Sequence, residues 1–279
     1  MQQAGSGILW VVATPIGHLD DLSPRAKRVL GEVDVIAAED TRHSRTLLTH
    51  HGIATPLLAL HEHNERDAVA GLVTRLGDGA RIALISDAGT PLVSDPGYRL
   101  VRAAREAGVR VAPVPGACAA IAALSVAGLP SDRFVFEGFL PPKSAARRSR
   151  LEHLAAESRT LIFYESSHRI VDCADDLVAV FGAEREAVLA RELTKLHETV
   201  HAAPLAEMVA WLKADANQQR GEFVLLVDGA DDAAAKLAEG RRLLHLLREE
   251  LPPARAAKLA AKLSGAPRKA LYAPDAADT

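Results

Sequence analysis

The stretch RIALISDAGTPLVSDPGYRL, residues 81–100, joins a buried strand to a long loop and then to a helix. Its first six residues form an apolar run typical of a parallel strand that is covered on both faces. Eight Gly, Pro, Asp, Ser and Thr residues follow between positions 87 and 97, which is more than a simple connection requires. One such loop is usually an ordinary turn, so its meaning depends on the rest of the chain.

The rest of the first half repeats this alternation of strand and helix. Apolar runs at 8–14, 34–39, 56–60 and 110–114 are separated by helical patterns, which predicts right-handed crossovers and an open parallel sheet. The second half contains further strands and a hairpin, which predicts a mixed sheet. We therefore predict an α/β protein with three parts: an N-terminal domain over 1–128, a C-terminal domain over 129–231 and a basic helical region over 232–279.

Composition limits the class of protein. The chain has 279 residues, 48% of them hydrophobic, and a formal net charge of −3, which does not indicate wholesale nucleic-acid binding. Two cysteines, Cys118 and Cys173, cannot form a disulfide framework and favour a reducing compartment. The longest apolar stretch, near 117–129, is too short to span a bilayer. We expect a cytoplasmic protein that does not enter the membrane.

Several nucleotide and hydrolase motifs are absent: no G-x-G-x-x-G follows a strand, and there is no P-loop and no G-x-S-x-G elbow. One metal motif is present, because His197–His201 matches H-E-x-x-H. A zinc site of that type needs both histidines on one helix, but this segment follows a strand-like run and meets Pro204. In extended chain the two histidines would lie roughly 13 Å apart, at about 3.3 Å per residue. We expect a polar hairpin and no metal, and keep a zinc hydrolase as an alternative.

Three loops rich in Gly and Pro follow predicted strands, at 14–17, 86–97 and 115–118. In open parallel sheets, ligands bind at the carboxyl ends of the strands. The loops carry few cations, so backbone donors and acceptors for an adenosine or amino-acid moiety suit them better than a bare phosphate does. Polar clusters at 39–42 and 165–169 close two other strands.

Seven motifs in order resemble one family: VATPIGHLDDLS (12–23), AAEDTRHS (37–44), LISDAGTPLVSDPG (84–97), VPGACAAIAAL (114–124), FEGFLPPK (136–143), FYESSHR (163–169) and RELTKLHE (191–198). The chain is similar to the ribosomal RNA small subunit methyltransferase I group of the tetrapyrrole methylase superfamily. The resemblance implies S-adenosylmethionine bound between two α/β domains and methylation of a cytidine 2′-hydroxyl in the decoding region of 16S rRNA. The substrate would be the small ribosomal subunit, and the enzyme would be a homodimer.

The resemblance also implies the site residues. Those for the cofactor are Pro15, Asp87, Gly89, Thr90, Pro91, Val93, Cys118, Ala119, Tyr164, Glu165 and Glu222. Candidate general bases are Glu165, His168, Asp40 and Glu192, of which Glu165 and His168 rank first. Candidate RNA contacts are Arg42, Lys143, Arg147, Arg148, Arg169 and Lys195. Two residues depart from the family pattern: Cys118 replaces the usual Ser, and Ser167 replaces the usual Pro.

Two basic stretches could add affinity for RNA. Residues 143–150 hold four cations and no acid, and residues 235–272 hold nine cations and three acids, a net charge of +6. Such stretches are commonly no more than solvated helix faces. Two rival functions remain open: a sister methylase acting on a corrinoid or a protein side chain, and a non-catalytic RNA-binding assembly factor.

Overall fold

The computed structural model describes residues 7–61 and 65–272, which form two compact units. The first unit runs to Ala123 and also includes Glu192–Thr199. The second comprises Leu124–Arg191 and resumes at Val200. The segment 192–199 therefore belongs with a part of the chain that lies far away in sequence.

The first unit contains a five-stranded sheet in the order β3-β2-β4-β1-β5. All four strand pairings are parallel, as predicted from the apolar runs. The strands are β1 (Ile8–Val12), β2 (Val35–Ala38), β3 (Leu57–Ala59), β4 (Arg81–Ile85) and β5 (Arg110–Val114). The helices are α1 (Pro24–Glu32), α2 (Thr41–His50), α3 (Glu65–Gly77), α4 (Tyr98–Glu106) and α5 (Ala119–Ala127), which continues into the second unit.

Both faces of this sheet are buried under helices. On one face, Val12, Ile36 and Ala83 pack with residues of α1 and α2. On the other, Leu9 and Leu84 pack with residues of α3 and α4. Burial on both faces explains why these strands are almost continuously apolar, and it leaves the loops at the strand ends as the polar part of the unit.

The second unit contains a mixed five-stranded sheet in the order β6-β7-β10-β8-β9, which confirms the predicted fold class. Strand β6 is parallel to β7, whereas β10 is antiparallel to both β7 and β8. The strands are β6 (Phe134–Phe139), β7 (Thr160–Ser166), β8 (Glu186–Arg191), β9 (Thr199–Pro204) and β10 (Glu222–Val227). The helices α6 (Ser144–Leu154), α7 (Ile170–Phe181) and α8 (Leu205–Ala214) pack on one face of this sheet.

The chain ends in two further helices, α9 (Asp232–Leu247) and α10 (Pro253–Ser264), followed by a 3₁₀ turn at Ala270–Tyr272. They bury a small core of their own, which includes Leu244, Ala260 and Leu271. The predicted helical region is confirmed, although its last residues, 273–279, lie outside the described part. No helix within 7–61 and 65–272 combines the length and apolar character needed to cross a membrane.

Candidate active site

Three loops of the first unit meet at the carboxyl end of the parallel sheet. They follow β4, β1 and β5, which are adjacent strands. Thr14 and Gly89 hydrogen-bond in both directions through their backbones, at 2.8 and 3.1 Å, which joins the first loop to the second. The Thr90 hydroxyl donates to the Ala117 carbonyl oxygen at 2.9 Å, which joins the second loop to the third. The structure thus brings together the loops that carry the predicted cofactor residues of this unit.

Gly89 occupies the crowded point between these loops. Its φ of +81° lies in the left-handed region, and a Cβ there would lie 3.3 Å from Ile16 Cγ2. Only glycine meets both conditions without strain. Around it, Pro15 and Pro91 are buried, and four further predicted residues are partly buried: Thr90, Val93, Cys118 and Ala119.

The loop that follows β4 holds unusual backbone conformations. Leu92 and Ser94 have φ values of 73° and 67°, in a region that residues other than glycine rarely occupy. Each costs roughly 1–3 kcal/mol and persists only where the surroundings impose it. Such conformations cluster at ligand-binding sites, so their presence here supports a binding role for the loop.

Three aspartates lie at this edge of the sheet. The Asp40 backbone amide donates to Asp87 Oδ1 at 2.9 Å, and the Asp40 side chain caps α2 by accepting from the Arg42 amide. Hydrogen bonds from Arg42 lower the pKa of Asp40, which makes it a weaker base. Burial, aided by the charge of Asp87 and opposed by a hydrogen bond from Ser86, raises the pKa of Asp95 to about 6. The sequence did not single out Asp95 as a site residue, because only its burial distinguishes it.

The segment 192–199 packs against the first of these loops. The Thr194 hydroxyl accepts from the His18 amide at 3.0 Å, and a Cβ on Gly17 would lie 2.5 Å from Lys195 Cγ. Glu192 and Lys195 pair with each other at 2.9 Å. Glu192 and Thr194 also have positive φ, at 52° and 65°. The predicted residues Glu192 and Lys195 are therefore held next to Gly17.

Glu165 lies inside the second unit. Its side chain is fully buried, and its Oε1 accepts from the Ser166 amide at 2.7 Å and from Arg169 Nε at 2.8 Å. Arg169 in turn donates to the Leu140 carbonyl oxygen at 3.3 Å. A general base must reach its substrate, so this enclosure argues against Glu165 as the base, and that role stays a prediction. The pair holds the turn between β7 and α7, and Arg169 is largely engaged within it.

Neighbouring residues of the same motif point elsewhere. Tyr164 and Glu222 lie on one face of the sheet, because Tyr164 pairs with Val224 in register and side chains alternate along a strand. Glu165 lies on the opposite face. Tyr164 is half-buried and contacts Phe136 and Phe139 edge to face, with ring centroids 5.0 and 5.7 Å apart. His168 is exposed in the turn, so it is the base candidate of this motif that solvent can reach.

The cations of the basic run 143–150 differ in how deeply they are buried. Arg147 is buried, and its Nε contacts Asp176 Oδ2 at 2.7 Å. A phosphate cannot reach a guanidinium enclosed in the core, so this burial argues against the prediction that Arg147 binds RNA. Arg148 also donates to Asp176 but remains half exposed, and Lys143 is exposed.

The H-E-x-x-H match is split between two kinds of backbone. His197 lies in a turn, whereas His201 lies in β9 and stacks on Trp211 with ring centroids 4.2 Å apart. A zinc site of that motif needs one continuous helix, and this segment does not form one. Within the part of the chain that is described, no group of three or more His, Cys, Asp or Glu could hold a metal ion.

Comparison with known proteins shows which family this chain belongs to. Residues 9–209 match the family model "Tetrapyrrole (Corrin/Porphyrin) Methylases". The chain belongs to the tetrapyrrole methylase family. A second model, "RsmI C-terminal HTH domain", matches residues 234–273. The family and fold class inferred from the seven motifs are confirmed, and so is the prediction that the methyl donor is S-adenosylmethionine.

Proteins related to this one align along almost its entire length. A protein of Xylella fastidiosa named ribosomal RNA small subunit methyltransferase I is 62% identical over 95% of this chain and 98% of its own. A Pseudomonas aeruginosa protein of the same name is 59% identical over 96% of both chains.

Solved structures of lower identity share the fold. Diphthine synthase matches with a TM-score of 0.60 at 15% identity, covering 80% of this chain and 90% of its own. Uroporphyrin-III C-methyltransferase from Thermus thermophilus, solved with S-adenosyl homocysteine, matches with a TM-score of 0.56 at 20% identity, covering 80% and 97%.

The joined loops fit a cofactor that contains adenosine and an amino acid. They present backbone amides and carbonyls around Gly89, the amino end of α5 beside Cys118, and the carboxyl groups of Asp87 and Asp95. Hydroxyl and ammonium groups are natural partners of such carboxylates and carbonyls. The side-chain set around the loops therefore agrees with the donor that the family implies.

Proposed function

We propose that this protein methylates the 2′-hydroxyl of a cytidine in the decoding region of 16S rRNA, within the small ribosomal subunit. The observation that carries the proposal is the identity of 62% and 59% to proteins named ribosomal RNA small subunit methyltransferase I, over nearly the full length of both chains. A shared substrate class is the simplest account of such extensive identity. Action in the cytoplasm remains a prediction from composition, and assembly as a homodimer remains a prediction from the resemblance.

The loops of the first unit would hold the methyl donor, chiefly through Pro15, Thr90 and Cys118 and through the backbone around Gly89. When bound, S-adenosylmethionine supplies an electrophilic methyl group whose sulfur leaves as a neutral thioether. The strained conformations of Leu92 and Ser94 keep the loop preorganised. Tyr164 and Glu222 remain predicted cofactor contacts.

His168 is the best remaining candidate for the general base. A ribose hydroxyl is a weak nucleophile, so accepting its proton lowers the barrier. Glu165 is enclosed, Arg42 lowers the pKa of Asp40, and Glu192 pairs with Lys195. His168 is exposed and bears an imidazole, the side chain that most often serves as a general base.

Exposed cations would contact the RNA backbone. Arg42 has a side-chain exposure of 90%, and Lys143 is also exposed. Because neither side chain is buried, each can contact a phosphate from its present position. Arg148 and Lys195 are weaker candidates, because their side chains are less exposed than that of Arg42, at 50% and 28%.

The deciding experiment incubates purified protein with tritiated S-adenosylmethionine and small subunits from a strain that lacks this gene. We expect label in 16S rRNA, recovered after alkaline hydrolysis as a resistant dinucleotide, because a 2′-O-methyl group blocks cleavage at that position. Label in a corrinoid or a protein, with none in the rRNA, would favour the sister methylase. Intact cofactor binding without any transfer to subunits would reject the rRNA substrate, and absent cofactor binding would favour a non-catalytic assembly factor.

A paired substitution tests the base. We expect His168→Ala to lower turnover by about a hundredfold or more while calorimetry shows unchanged cofactor binding. The matched control is His153→Ala, which removes an exposed histidine of α6. Equal turnover of the two variants would exclude His168.

A further inference from the structure

The last long helix, α10, has two different faces. Its inner face consists of Ala256, Ala257 and Ala260, all fully buried in the core shared with α9. These three alanines contact the rest of that core through their Cβ atoms, and the outer residues of α10 are not part of it. The outer face can therefore be changed without removing a core contact.

The outer face carries two parallel rows. Arg255, Lys258 and Lys262 are exposed and spaced three and four residues apart, so they lie along one side of the helix as a basic stripe. Beside the stripe lie Leu259 and Leu263, which we call the leucine pair, with exposures of 37% and 62%. An exposed apolar pair beside a row of cations is typical of an interaction surface rather than of a solvated helix.

No acid offsets this charge. Between Leu251 and Tyr272 the chain has five cations and no Asp or Glu. The preceding helix differs, because Arg242 on α9 makes two hydrogen bonds of 2.8 Å to Glu239. Each of the two helices has three cations, but α9 has two acids and α10 has none, so the larger net positive charge lies on α10 and its complementary partner is a polyanion.

We propose that the outer face of α10 docks on the phosphate backbone of structured RNA, with the basic stripe along the phosphates and the leucine pair against sugars or an unstacked base. Lysine contacts phosphate as a point charge, and leucine makes no hydrogen bond, so Arg255 is the one residue of this face whose planar guanidinium could pair bidentately with a guanine edge. The stripe would serve chiefly to anchor the enzyme on the phosphates and would contribute little to the choice of nucleotide. The identity of the RNA, that of the small subunit, rests on the proposed function.

The test compares two variants with equal loss of charge. Arg255→Gln, Lys258→Gln and Lys262→Gln together remove the stripe. Lys27→Gln, Arg28→Gln and Arg45→Gln together remove three exposed cations from α1 and α2 and form the control. Binding to 16S rRNA and to small subunits is measured across a series of KCl concentrations. For the stripe variant we expect affinity at least about tenfold weaker and a salt slope flatter by about two, with calorimetric cofactor binding unchanged.

The leucine pair supplies a second readout. We expect Leu259→Gln with Leu263→Gln to weaken binding severalfold while the salt slope stays that of the wild type, because no charge is lost. Binding by the stripe variant equal to that of the control would overturn the proposal. So would weakened binding to subunits combined with unchanged binding to free 16S rRNA, since the partner would then be a ribosomal protein. If the wild type transfers no methyl group yet binds RNA through α10, the proposed function fails and the docking surface stands.

Discussion

Two acid–arginine pairs close two strands of this protein, and their environments are opposite. Asp40 and Arg42 follow β2, with side-chain exposures of 38% and 90%. Glu165 lies near the end of β7 and Arg169 in the turn after it, with exposures of 0% and 24%. In sequence both are polar clusters after an apolar strand, and both suggested catalysis or RNA contact.

The difference shows that burial decides what such a pair does. An exposed pair is screened by water and leaves its arginine available to a ligand. In a buried pair the two charges must offset each other, and here Arg169 pairs with Glu165 Oε1, while Oε2 is buried without a hydrogen-bond partner among the described residues. Asp40 therefore caps α2 and pairs with an arginine that is exposed to solvent, whereas the Glu165–Arg169 pair lies inside the second unit and holds the turn that carries His168.

Glu165→Ala should produce the largest effect. It leaves Arg169 without its partner, and we expect the free energy of unfolding to fall by about 3 kcal/mol. Urea unfolding at neutral pH measures the change. A variant that is as stable as the wild type but inactive would show that Glu165 acts in catalysis and that the comparison is wrong.

Asp40→Ala should have a clearly smaller effect on stability. The variant loses the cap on α2, whereas Asp40→Asn keeps an oxygen that can accept from the Arg42 amide. We expect the alanine variant to unfold at lower urea than the asparagine variant, with both above Glu165→Ala. A loss as large as that of Glu165→Ala would mean that Asp40 is buried in solution.

Asp95 extends the comparison to a carboxyl group that, among the described residues, has no arginine partner to offset the cost of its burial. Its pKa, raised from 3.8 to about 6, means that the folded protein favours the protonated form. This contribution to stability is fully present below about pH 4 and is lost as the pH rises through about 6. We expect the free energy of unfolding of the wild type to decline across that window relative to Asp95→Asn. Parallel pH profiles for the two proteins would contradict the raised pKa.

Arg42→Gln should change stability least, because its side chain is almost fully exposed. We expect unfolding in urea to match the wild type while methylation of small subunits weakens through a higher KM. Arg102→Gln is the control, as it removes another exposed arginine that pairs with a carboxylate, Glu106. Equal KM values for both variants would remove Arg42 from the RNA contacts.

Much of the architecture is predictable from local pattern. Apolar runs such as 81–86 and 110–114 identify parallel strands because burial on both faces requires continuous apolar residues. The glycine and proline loops after β1, β4 and β5 could also be found, since parallel topology places their ends at one edge. Two helices were not predicted from the sequence. Helix α2 has a largely polar sequence, TRHSRTLLTH, and α5 is too uniformly apolar to show a helical period.

The candidate site was less predictable than the fold. Arg147 and Arg148 are adjacent in a basic run and both pair with Asp176, yet only Arg147 is buried. The raised pKa of Asp95 likewise depends on burial, which no local pattern reports. The contact between Gly17 and Lys195 joins positions nearly 180 residues apart, and no spacing rule relates them.

The sequence by itself determined the family, the two-sheet α/β class and the loops that gather at the sheet edge, because these depend on residue type and order along the chain. Only the tertiary structure decided which charged residues are available for chemistry. Whether a carboxylate or a guanidinium can meet a substrate depends on its distance to distant partners and on its exclusion from water. Those quantities arise when strands and helices pack, and they separate Glu165 from His168, Arg147 from Lys143, and the inner from the outer face of α10.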